Sequence, residues 1–186
     1  MQEIRFHGRG GQGTVMASVI LAKAFFKAGC YVQTFPVFGV ERRGAPVEAY
    51  LRLAETKILV RSNVYTPDHV VVQDIKLLST VDVTKGLKPG GWILLNARDV
   101  PDAPQLNAYK VAIVDAGAIA QNNNLGTRTQ PIINTAMIGA FARIMENPPM
   151  DAVKEAIFQE LPVKQEENYK AAQAAYKAVQ IQRTMN

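Results

Sequence analysis

Near the N-terminus, Gly8-Arg9-Gly10-Gly11-Gln12-Gly13 has residue types and a spacing suited to holding an anion. The run follows a short apolar strand candidate, Ile4-Arg5-Phe6, and precedes a stretch, Thr14 to Ala28, that reads as a helix. Glycines let the backbone turn tightly and approach a ligand closely, because no Cβ intervenes. A helix start offers unpaired N–H groups and the positive end of a dipole. Strand, glycine-rich turn and helix start together predict a cradle for a phosphorylated ligand or another anion. The competing reading is that the glycines only permit close strand–helix packing. Four glycines in six residues, with Arg9 between them, exceed what packing requires.

Gly8, Gly10 and Gly13 also satisfy the G-x-G-x-x-G spacing of dinucleotide folds. That motif is confirmed by an acidic residue about 20 positions on, which holds a ribose hydroxyl. Here the second strand candidate, Cys30 to Phe35, has none, and no Asp or Glu occurs between Glu3 and Glu41. Gln33-Thr34 supplies no base for a 2′-phosphate either. The sequence therefore argues against a nicotinamide dinucleotide.

A chain of 186 residues fits a single domain, expected over 1–186, and its net charge of +5 favours anionic ligands or acidic partners. Arg42-Arg43 is the only basic pair, so nucleic acid is not expected. Met1-Gln2-Glu3 lacks the plan of a signal peptide, and no apolar run reaches a membrane span. No membrane association and a cytoplasmic location are the expectations. With Cys30 as the one cysteine, the chain cannot supply the four thiolates an iron–sulfur cluster generally needs. His7 and His69 alone make a zinc site improbable. Cys30 reads as a small buried hydrophobe. His7, next to the glycine run, either touches a ligand or bonds backbone.

The elements that must position these residues can be read in outline. Thr14 to Ala28 is apolar nearly all round, which predicts burial on more than one side, by another subunit for instance. Val47, Ala49, Leu51 and Leu53 alternate with Glu48, Tyr50 and Arg52, a strand with one wet face; Ile58 to Arg61 is its expected hairpin partner. Val70 to Val72, Trp92 to Leu95 and Lys110 to Val114 read as strands, ending at Asp74, Asn96 and Asp115, which suit helix caps. Helices are expected over Ala116 to Gln121, Pro131 to Met145, Asp151 to Leu161 and Gln165 to Met185. Asn134, in a first helical turn, can reach a ligand or bond the backbone. The predicted fold is α/β: a mostly parallel sheet with helices on both faces, a β-hairpin excursion near 44–61 and a helical C-terminal tail.

The segments Phe6 to Gly13 and Phe35-Pro36-Val37-Phe38-Gly39-Val40-Glu41-Arg42-Arg43-Gly44-Ala45-Pro46-Val47 together resemble the gamma subunits of the 2-oxoacid:ferredoxin oxidoreductases, the pyruvate, 2-oxoisovalerate and 2-oxoglutarate enzymes. The resemblance spans nearly the whole chain. It is strongest over residues 4–53 and visible again at Val70 to Asp74 and Pro131 to Ala136. Thr14-Val15-Met16-Ala17 departs mildly from the Val-Val-Thr-Ala run common in the family.

The resemblance implies a share in a complex that oxidises a 2-oxoacid with coenzyme A, releases CO2 and reduces ferredoxin. Thiamine diphosphate with Mg and 4Fe–4S clusters would sit on partner subunits of alpha, beta and delta type. This chain lacks the cysteines for a cluster and a Gly-Asp-Gly upstream of its Asn122-Asn123-Asn124. The anion cradle is then expected to receive coenzyme A. The amides of Gly10, Gly11, Gln12 and Gly13 would hold the pyrophosphate, and Arg9 would pair with a phosphate. Phe38 to Gly44 would line the pantetheine route, with Arg42 or Arg43 near the anionic groups. Glu41-Arg42-Arg43 reads equally as a subunit-interface ion cluster. A purely structural subunit and a stand-alone nucleotide-binding oxidoreductase are the alternatives. Which 2-oxoacid is used is not encoded in recognisable residues.

Overall fold

The computed structural model describes residues 1–37 and 44–183; Glu41, Arg42 and Arg43 lie outside the described residues. The chain is α/β, as the pattern predicts. The seven strands among the described residues are β1 (Gln2–Arg9), β2 (Tyr31–Val37), β3 (Pro46–Ala54), β4 (His69–Val72), β5 (Trp92–Asn96), β6 (Lys110–Val114) and β7 (Gln180–Arg183). Five α-helices accompany them in the described residues: α1 (Thr14–Lys27), α2 (Ala116–Asn122), α3 (Asn134–Met145), α4 (Met150–Glu160) and α5 (Gln165–Ala178). The strands form one sheet in the order β2-β3-β1-β4-β5-β6-β7. Its middle, β1-β4-β5-β6, is parallel, and both flanks are antiparallel.

Alternation along the central strands explains how the sheet is covered. Phe6, Val71, Leu94 and Ala112 face the helices, and Val70, Val72, Ile93 and Leu95 face the other way. Parallel strands buried on both faces read as continuous apolar runs, as Val70-Val71-Val72 does. Each fully buried Leu, Ile or Phe contributes on the order of 2 kcal/mol. The second face is covered by the segments between β4 and β6, whose helical content is two 3-10 turns, Ile75–Ser79 and Pro104–Leu106. Val83, Leu87 and Leu106 supply its apolar contacts. Pro89-Gly90-Gly91, Pro101 and Pro104 leave no room there for a long α-helix.

Four expectations are corrected. The partner of β3 is not Ile58 to Arg61: β3 pairs with β2 through Tyr31↔Ala54 and with β1 through Gln2↔Leu53. Pro36 fits because β2 is the sheet edge. The polar side of β3 is not wet: Tyr50 is 6 % and Arg52 1 % exposed. Arg52 binds Glu3, Gln33 and the carbonyls of Ser62 and Asn63, because the chain after β3 folds back over that face. The last helix ends at Ala178, where Val179 turns extended and the chain adds β7 antiparallel to β6. Finally, the second buried side of α1 is covered within the chain, by α3 and α4. Lys23 and Lys27 of α1 pair with Glu160 and Glu155 of α4.

Candidate functional site

The chain runs from β1 through α1 to one side of the sheet, and from β4 to β5 on the other side, so its order reverses between β1 and β4. Ligands in open α/β sheets bind at such a reversal, beyond the carboxyl ends of the strands. Arg9 ends β1 and Gln73-Asp74 follow β4. Above them lies a cavity of about 680 Å³. Its walls are the glycine-rich turn Arg9–Gln12, the strand ends at Gln73, Asp74 and Asn96, and the loop from Gly126 to Ile133. Its charged lining among the described residues is Arg9, Lys76 and Asp74.

The expected residues divide into three groups. Arg9, Gly10, Gly11 and Gln12 line the cavity. Gly11 has φ +91° and open space where a Cβ would stand, so the turn exposes bare backbone there. Gly8, Gly13 and Asn134 stand behind the wall. Gly8 is still on β1, paired with Val47, and a Cβ there would lie 2.0 Å from Thr14 Oγ1. Its glycine admits the first residue of α1, so at this position the packing reading holds. Gly13 caps α1 in the left-handed conformation at φ +73°, with no capping side chain. A Cβ on it would approach Asn134 Nδ2 to 3.0 Å. Asn134 opens α3 and accepts from the Thr135 amide at 2.8 Å. Two uncapped helix N-termini, those of α1 and α3, therefore meet behind the turn. Glu41, Arg42 and Arg43, the third group, fall outside the described residues.

Half of the expected amide cradle is already engaged. The Gly10 amide donates to Ala45 O (2.9 Å), prolonging the β1–β3 ladder, and the Gln12 amide donates to Arg9 O (3.0 Å). The Gly11 and Gly13 amides have no partner among the described residues. Arg9 is held in place: its Nε donates to Asp74 Oδ2 at 2.6 Å and one Nη to Gly44 O at 3.1 Å. Gln12 binds the Arg9 amide through Oε1 (2.8 Å) and approaches the same Asp74 oxygen with Nε2 at 3.4 Å. Asp74 is a cap as expected, accepting from Lys76 N, and it also orders Arg9 and Gln12. Asn96 ties β4 to α2, donating to Gln73 O and accepting from Ala116 N. Asp115 caps α2 through Ala118 N.

His7 neither touches the cavity nor bonds backbone. It lies on the opposite sheet face, 2 % exposed, where Arg5 Nε donates to its Nε2 at 3.0 Å. Its Nδ1 lies 3.4 Å from Glu48 Oε1, and Tyr50 donates to the other Glu48 oxygen. Burial holds His7 neutral, with its pKa lowered to about 4 despite the Glu48 charge. Cys30 is half-buried against the main core.

Sequence reasoning missed Gln73, Lys76 and the loop Gly126–Ile133 as cavity walls. The signal available for the first two was their place just after a buried strand. The loop is closed by a Gly126↔Pro131 bridge, and its threonines gave no sequence mark.

Comparison with known proteins gives this geometry its context. Residues 3–178 match the family model described as pyruvate ferredoxin/flavodoxin oxidoreductase. The pyruvate synthase subunit PorC of Methanocaldococcus jannaschii is 49% identical over 177 residues, covering 95% of this chain and 96% of that protein. The pyruvate/ketoisovalerate oxidoreductases common subunit gamma of Thermococcus kodakarensis is 48% identical over 181 residues, covering 95% and 96%. The crystal structure of pyruvate oxidoreductase subunit PORC from Thermotoga maritima superposes with a TM-score of 0.81 at 34% identity, covering 98% of both chains. A family match over almost the full length, with relatives close to half identical, shows that the chain belongs to the pyruvate ferredoxin/flavodoxin oxidoreductase family, among its gamma-type subunits.

Proposed function

We propose that this chain is the subunit that seats coenzyme A in a complex oxidising a 2-oxoacid, pyruvate being the acid named for its relatives. The observation that carries the reading is the cavity at the strand reversal, which joins an exposed glycine backbone, a fixed arginine and two uncapped helix N-termini. Partial charges at helix N-termini and a preordered guanidinium both favour a phosphate. A volume of about 680 Å³ lies within the usual range for small-ligand pockets and suits the nucleotide head of the coenzyme. The remaining Arg9 nitrogen and the Gly11 amide would hold the diphosphate. Lys76 would neutralise further charge at the rim. Thiamine diphosphate on a partner subunit would supply the carbon chemistry and 4Fe–4S clusters the electron path to ferredoxin; one cysteine and no Gly-Asp-Gly leave this chain unable to hold either alone.

The test is calorimetric titration of the assembled complex with coenzyme A. Gly11→Asp places a carboxylate in open cavity space, with backbone strain at φ +91° that a parallel Gly11→Ala variant measures without the charge. Arg9→Ala removes the fixed cation. Gly11→Asp and Arg9→Ala are each expected to weaken coenzyme A roughly tenfold or more, the scale of one charge-assisted contact, and to leave the KM for the 2-oxoacid unchanged. Unaltered coenzyme A affinity in both variants would reject the seat and favour a purely structural subunit.

A further inference from the structure

Beneath the cavity lies a polar group without a partner. Gln73 is 1 % exposed, and its Nε2 is the one buried side-chain nitrogen or oxygen among the described residues with no hydrogen bond. Its position follows from strand alternation. Val71, two residues earlier, faces the helices, so Gln73 does too, at the carboxyl end of β4 and against Thr14 at the N-terminus of α1. Every other handle on the residue is fastened. Its amide N donates to His7 O at 2.8 Å, its carbonyl accepts from Asn96 Nδ2 at 3.0 Å, and Thr14 Oγ1 donates to its Oε1 at 2.7 Å. Gly8 and Thr14 pack around Oε1 and fix the side chain, which lines the cavity floor. A buried amide donor without an acceptor is costly, and native structures rarely keep one without a function.

We propose that Gln73 is a positioning residue for the ligand's diphosphate: its free Nε2–H donates to a phosphate oxygen drawn between the two helix N-termini. The proposal rests on the coenzyme A seat and adds to it a residue that reads the phosphate from below, where Arg9 reads it from the side. The site trades stability of the empty subunit for affinity. The donor lacks a partner until the anion arrives, and the bond then forms in a nearly dry environment, where it is strongest.

The experiment titrates the assembled complex with coenzyme A and, separately, with ADP, which carries the diphosphate without the pantetheine arm. Wild type, Gln73→Met, Gln73→Glu and Arg9→Ala are compared, each with a thermal melt of the ligand-free complex. Met matches the volume of Gln and removes the orphan donor, together with the Oε1 acceptor of Thr14 Oγ1. Glu keeps the acceptor for Thr14 and turns the donor into a repelling oxygen. Expected for Gln73→Met is a loss of affinity for both ligands of roughly ten- to a hundredfold, the scale of a hydrogen bond to a charged group, while its melt reads the balance between the orphan donor removed and the Thr14 acceptor lost. Gln73→Glu is expected to bind both more weakly still. If Arg9→Ala weakens both ligands while both Gln73 variants stay within twofold of wild type, the Gln73 role is overturned and the seat stands. If neither Arg9→Ala nor the Gln73 variants change binding, the seat itself falls. A Gln73→Met complex that melts lower yet binds as wild type assigns Gln73 to the core and also overturns the role.

Discussion

His7 shows how one residue beside the glycine run serves stability. Burial lowers its pKa to about 4, below the ordinary 6.5, so the folded chain carries it neutral. Between these values the unfolded chain binds more protons, and stability rises with pH. The stabilisation is complete above about pH 6.5 and is lost as pH falls toward 4. At about 1.4 kcal/mol per pH unit, this one group accounts for roughly 3 kcal/mol across the window. His7→Gln can keep an acceptor for Arg5 and a donor for Glu48 without titrating. Its melting temperature is expected to fall less between pH 6.5 and 4 than that of the wild type, read by circular dichroism. Equal slopes for the two proteins would remove His7 from the pH dependence. Arg9 makes the complementary point: its residue type was readable as an anion binder, yet its immobilisation by Asp74, 65 positions away, was not.

Among the elements, the α3–α5 pair carries the tightest constraint. A Cβ on Gly139 of α3 would stand 1.9 Å from the Ala172 carbonyl oxygen of α5, so the two helices meet backbone to backbone. Gly139→Ala must push them apart and is expected to destabilise by about 1–3 kcal/mol, the scale of overpacking, measured by urea unfolding. A loss under 0.5 kcal/mol would show that the contact relaxes freely. Asn134, which packs against Gly13 at the start of α1, lies at one end of α3, so the displacement would also loosen the rear wall of the candidate site. Strand and helix locations were largely legible, because apolar periodicity marks them. The fate of β3 was not. Its alternation of Ala49, Leu51 and Leu53 with Glu48, Tyr50 and Arg52 is the same for a wet face and for a face buried under irregular chain. Only the carbonyls of Ser62 and Asn63, brought onto Arg52 by the fold, decide between them.

As a whole molecule, the chain closes its own core but not its own chemistry. The main core is contributed by β1, β3, the central strands and helices α1 to α5, and α1 finds cover within the chain. The isolated chain is therefore expected to unfold in one cooperative transition, while turning over no 2-oxoacid with ferredoxin. A broad, non-cooperative melt would show that folding requires partner subunits. From sequence alone came the α/β class, the glycine-rich turn between β1 and α1 and the lack of four cysteines for a cluster, because these depend on local residue types and on a count of cysteines. Family likeness was legible for the same reason, in contiguous motifs. The tertiary structure decided where the candidate cavity lies and which residues line it. A strand order that reverses between β1 and β4 brings Gln73 and Asp74 against a turn more than 60 residues earlier in the chain, and such pairing is set by packing across the whole sheet rather than by any local pattern.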